Sequence, residues 1–132
     1  MLLKFQGESV GFQDTKRIVI VDDTESVAFV IKSFLEDEGF RVSAHEDPQD
    51  ALSDIGSNGA DLIITDYTMP GMNGIELVKR VKKYNPRTDA IIITADPLRI
   101  SGNEDRFEVI EKTQGFIKKI IASVYKTFKM TP

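Results

Sequence analysis

The sequence predicts an α/β fold: a doubly wound, five-stranded parallel sheet whose fourth helix is short or missing. Five short runs rich in β-branched residues punctuate the chain, and helical periods separate the first four. Three of the runs are apolar almost without alternation, as strands covered on both faces must be. At 132 residues, 41% apolar and 29% charged, the chain has the size and balance of one folded domain.

Residues 1–16 read as an N-terminal extension with no clear period, and residues 17–130 as the domain. The first strand is IVIV (18–21), followed by a helix whose apolar positions Val27, Val30, Ile31, Phe34 and Leu35 recur at helical spacing. Thr24 stands at its N-cap and Gly39 where a C-terminal cap belongs. RVSAHE (41–46) is the second strand, and Asp47-Pro48 opens a second, short helix that ends near Gly56 to Gly59. DLIITD (61–66) is the third strand. The third helix opens at Asn73 with Glu76 three residues on, a capping-box spacing, and stops before Asn85-Pro86. Its Lys79, Arg80, Lys82 and Lys83 read as a solvated face.

AIIIT (90–94) and FEVIE (107–111) are the fourth and fifth strands. Between them, DPLRISGNEDR (96–106) carries turn chemistry and predicts a loop or about one helical turn. The last helix presents an apolar stripe from Phe116 to Phe128 that is wider than one sheet contact needs, which makes Tyr125 and Phe128 candidate partner contacts.

Composition excludes several functions. With no cysteine there are no disulfides, thiolate metal sites or cysteine nucleophiles, which suits a cytoplasmic location. A net charge of −4 without a basic stripe argues against nucleic-acid binding. Apolar runs of four or five residues are too short to span a membrane. The single histidine, His45, reads as a surface residue without a role.

Parallel crossovers bring the carboxyl ends of all strands to one edge, where ligands bind at the reversal of strand order. Asp22 and Asp23 end the first strand, Asp66 the third, Thr94 the fourth and Lys112 the fifth. Taken alone, the two adjacent acids could simply favour the N-terminus of the first helix. Three carboxylates in one pocket repel, however, and a divalent cation such as Mg²⁺ together with the Lys112 ammonium would balance them.

With VDD after the first strand, IITDYTMPGMNG around the third, TA after the fourth and a lysine after the fifth, the chain resembles the receiver (CheY-like) domain of response regulators in two-component signalling. The likeness spans about Lys16 to Met130. It implies the flavodoxin/CheY-like fold, with Asp66 as phosphoacceptor. Asp22, Asp23, Asp66 and the Thr68 backbone carbonyl would be Mg²⁺ ligands, and Thr94 and Lys112 would be phosphoryl contacts. Met69, Pro70, Gly71 and Gly74 match the family's turn into the third helix.

The chain departs from the family at three places. Thr113 stands where a proline usually follows the lysine, Val109 occupies the aromatic switch position with Phe107 two residues away, and the Thr94 to Lys112 stretch is short. The resemblance implies a stand-alone receiver, not an enzyme, charged by a histidine kinase or phosphotransfer protein and signalling to a downstream protein through the 95–128 face. The departures leave a second reading, a pseudo-receiver that works as a phosphorylation-independent interaction module. A small aspartyl-phosphate phosphohydrolase would need an acid two residues past its nucleophile, where this chain has Thr68.

Overall fold

The computed structural model describes residues 15–100 and 107–131. Five strands, β1 (Arg17–Val21), β2 (Arg41–His45), β3 (Leu62–Asp66), β4 (Asp89–Thr94) and β5 (Glu108–Glu111), form one parallel sheet in the order β2-β1-β3-β4-β5. Each lies on the run that predicted it. The helices are α1 (Glu25–Asp37), α2 (Pro48–Asn58), α3 (Gly74–Tyr84) and α4 (Phe116–Thr127).

The continuous apolar runs have a direct explanation in the pleat, because successive side chains point to opposite faces and both faces are covered. Ile18, Ile20, Leu62, Ile64, Ile91 and Ile93 pack with α1 and α4. Val19, Val21, Ile63 and Ile92 pack with α2 and α3.

The expectation of a short or missing fourth helix is corrected. Among the described residues the chain has four α-helices, and the fourth, α4, is 12 residues long, with Ile120, Val124 and Tyr125 buried. The turn signals behind that expectation stay within the β4–β5 connection and do not reach the helix after β5, which is held by burial of its stripe on the sheet. In that connection Pro97–Arg99 makes one 3-10 turn, started by the Asp96 carboxylate accepting from the Leu98 N–H; residues 101–106 lie outside the described residues. The extension, residues 1–16, is described only from residue 15.

At three helix ends the chain stops or starts where its local signals predict. Asn73 and Glu76 form the reciprocal capping box of α3, and the Asp47 side chain accepts from the Gln49 N–H to start α2. At the end of α1, Gly39 (φ 100°) donates to Glu36 and Phe40 donates to Leu35, which closes the helix and turns Phe40 into the core.

Four side-chain expectations change. Thr24 occupies the N-cap of α1 without a side-chain cap bond; its own N–H donates to Asp22 Oδ1 instead. The buried line of α1 is Ala28, Ile31 and Leu35, which rotates Val30 and Phe34 outward with Phe29. Lys82 is half-buried and donates to the Thr88 carbonyl. Tyr125 turns inward, buried with its ring 5.9 Å from Phe40 and its hydroxyl donating to Glu38 at the end of α1, while the half-buried Phe128 packs on the same ring at 5.8 Å.

Candidate functional site

Strand order reverses between β1 and β3, so the crevice at their carboxyl ends is where the topology gathers side chains. Asp22 follows β1 directly. Its N–H donates to the His45 carbonyl at 3.1 Å, which extends the β1–β2 pairing by one residue, and its Oδ1 accepts from the Thr24 N–H at 2.9 Å. The carboxylate is thereby fixed at the mouth of the crevice, 1% exposed, while Asp23 beside it faces solvent.

Asp66 is the last residue of β3 and is 8% exposed. Its main chain is held from several directions. The Thr65 hydroxyl donates to the Asp66 carbonyl, the Tyr67 N–H donates to the Ile93 carbonyl, and the Gly74 N–H donates to the Tyr67 carbonyl. Gly74 is required by space: a Cβ there would sit 2.6 Å from the Asp66 carbonyl oxygen and 3.1 Å from the Tyr67 Cα.

The crevice closes from the β5 side. The Lys112 N–H donates to the Thr94 carbonyl at 2.8 Å, which continues the β4–β5 ladder by one residue. From there the Lys112 ammonium reaches Asp22 Oδ2 and Asp66 Oδ2, each at 3.3 Å. Thr94 is buried at the end of β4, and its hydroxyl oxygen accepts from the Asp96 N–H at 3.0 Å.

One carboxylate oxygen from each of Asp22, Asp23 and Asp66 can be chosen so that all lie within 4.8 Å of one another. Burial pushes the Asp66 carboxyl above its ordinary 3.8; the negative charges of Asp22 and Asp23 push the same way, and Lys112 opposes them through its charge and its hydrogen bond. One ammonium therefore leaves a surplus of two negative charges when all three acids are ionised. Hard oxygen donors with that surplus fit a divalent cation of the Mg²⁺ kind.

The sequence-predicted residues Asp22, Asp23, Asp66 and Lys112 thus share one crevice, with Thr94 bonded through its carbonyl to Lys112. Thr68 lies exposed two residues beyond Asp66. Val109 is half-buried, packed against the same core cluster in which Phe107 is buried.

A second polar cluster was missed. Asp54 of α2 receives Arg17 Nη2 at 2.7 Å and Asn58 Nδ2 at 2.8 Å and pairs with His45 Nε2 at 2.7 Å, while Arg17 also reaches Ser43 and the Gly59 carbonyl. His45, read as a surface residue, thus helps pin α2 to the sheet. No local motif announces this, because the partners come from β1, β2 and α2.

Comparison with known proteins matches residues 18–123 to the response regulator receiver domain. The chemotaxis protein CheY of Pseudomonas aeruginosa is 31% identical over 110 residues, 83% of this chain and 85% of that protein. Among solved structures, the response regulator TrrA of Thermotoga maritima in complex with Mg²⁺-BeF superposes with a TM-score of 0.77 at 29% identity, covering 86% of this chain and 99% of that one. Other relatives are much longer. The chain spans only 34% of the transcriptional regulatory protein YkoG of Bacillus subtilis, 33% identical over 78 residues, 59% of this chain.

Proposed function

Because this chain belongs to the response regulator receiver domain family, we propose that it is a phosphorylation switch in which Asp66 accepts a phosphoryl group from a phosphohistidine. The observation that carries this reading is the Lys112 ammonium at 3.3 Å from both Asp22 and Asp66, in a cluster that the exposed Asp23 completes. An Asp66 carboxylate oxygen attacks phosphorus. The new P–O bond gives an acyl phosphate as the P–N bond breaks, and the leaving imidazole keeps the electron pair.

Asp22, Asp23 and Asp66, with the Thr68 carbonyl, are the groups that would hold Mg²⁺; bound there, the ion offsets charge on the transferring phosphoryl oxygens. Lys112 neutralises a further oxygen. Thr94 offers its hydroxyl hydrogen to the phosphoryl group while its oxygen accepts from the Asp96 N–H, so a movement of Thr94 toward the phosphoryl group would carry to the turn at 97–99.

The site serves the protein's own modification and does not turn over a separate substrate. The donor is a histidine kinase or phosphotransfer protein, and the output is a protein contact on the 95–128 face. Supporting that face are Leu98, 92% exposed, and a shallow groove lined by Glu108, Glu111, Lys119, Ser123 and Lys126. A cytoplasmic setting suits this donor class; no helix among the described residues is long and apolar enough to cross a membrane.

Incubation with acetyl phosphate or a phosphohistidine donor plus Mg²⁺, followed by intact mass measurement, is expected to show one phosphoryl adduct that Asp66→Asn loses. An unmodified mass with every donor overturns the proposal.

A further inference from the structure

We infer that the backbone N–H of Thr113 is the group that aims Lys112 into the acidic crevice. The assignment deepens the proposed switch and rests on that reading for its functional consequence. Lys112 lies just past the end of β5, where the ladder makes its last bond, and its ammonium meets two carboxylates at 3.3 Å.

Two backbone bonds produce that aim. The Lys112 N–H is held by the Thr94 carbonyl at 2.8 Å, and the Thr113 N–H folds back on the Glu111 carbonyl at 2.8 Å, closing a three-residue turn with Lys112 at its apex. The Thr113 carbonyl in turn accepts from the Phe116 N–H at 3.1 Å, at the first residue of α4. One residue therefore ties the direction of the lysine to the start of the last helix. The Thr113 side chain itself is exposed. The working part is the amide hydrogen, which a proline at this position could not supply. This chain thus directs its lysine by a hydrogen-bonded turn that depends on position 113 not being proline.

The test uses the full chain in four forms: wild type, Thr113→Ala, Thr113→Pro, and a semisynthetic protein with the hydroxy-acid analogue of threonine at 113, which replaces the single N–H by oxygen. The first readout is the ¹⁵N relaxation of the Lys112 ammonium, without any added ion. It is expected to be ordered in wild type and Thr113→Ala, and as free as that of the exposed Lys79 in the two forms that lack the donor. The second readout is Mg²⁺-dependent beryllofluoride affinity, expected to fall about tenfold in those same two forms, the size of losing one hydrogen bond to a charged group.

Should Thr113→Pro fail to fold, the ester form decides, because it keeps every side chain. A Lys112 ammonium that is free in wild type, or ordered in the folded forms lacking the donor, overturns the assignment. A wild type that orders Lys112 in an amide-dependent way yet takes up no beryllofluoride would leave the assignment standing and remove the proposed switch.

Discussion

Asp54 and Asp66 are both largely buried carboxylates, and their surroundings move them in opposite directions. Burial alone would push Asp54 up, but hydrogen bonds from His45, Asn58 and Arg17, with the charge of Arg17, outweigh it and hold the carboxyl below 3.8. An acid depressed in the folded state adds stability that is present above its unfolded pKa and is lost as pH falls through its folded pKa. Asp54→Ala is therefore expected to cost roughly 2 kcal/mol at neutral pH, the scale of hydrogen bonds to a charged group. In urea denaturation the gap to wild type should narrow below about pH 4. A gap of constant size across that range would show that the ionised form is not what the network stabilises. Asp66 has the reverse sign: its raised pKa makes ionisation a cost to the fold as pH rises.

At the scale of elements, the site depends on how closely α3 approaches the end of β3. The capping box of Asn73 and Glu76 starts the helix, and the missing side chain of Gly74 lets that start lie against the Asp66 carbonyl. Gly74→Ala would force backbone against Cβ at 2.6 Å, a clash no rotamer relieves. Overpacking of this kind costs about 1–3 kcal/mol. The substitution is expected to lower the unfolding free energy measured in urea by that amount and to shift the Asp66 and Tyr67 amide resonances, while shifts on the far side of the sheet stay put. Helices α1 and α4 are joined differently, through the Tyr125 hydroxyl on Glu38. Burial first, then that bond and the Glu38 charge, push the Tyr125 phenol up to about 12, so the clasp stays protonated at any physiological pH.

For the molecule as a whole, the cluster of Asp22, Asp23 and Asp66 is a repulsion that folding accepts and a divalent cation would relieve. Mg²⁺ that binds only the folded state should raise unfolding free energy by about 2.7 kcal/mol at a hundredfold excess over Kd. Asp66→Asn is expected to unfold at a higher temperature than wild type in EDTA and to gain less from Mg²⁺. Thermal unfolding in the two conditions measures both effects. A wild-type midpoint that ignores Mg²⁺ would remove the metal site from the proposal.

Strand runs, helix caps and the acids at strand ends were legible in the sequence, because each reports a local cost: an unpaired N–H, a strained φ, or a side chain that must be covered. The gathering of Asp22, Asp66 and Lys112 was legible as well, since parallel topology leaves strand ends only one edge to occupy. What only the tertiary structure decided are the contacts with no sequence period. Arg17 and His45 meet on Asp54, Tyr125 turns inward to Glu38, and the buried line of α1 is set by Ala28 where Val30 was expected. Each depends on the rotation of a helix about its own axis against the sheet, which the packing of both layers fixes together and no single segment specifies.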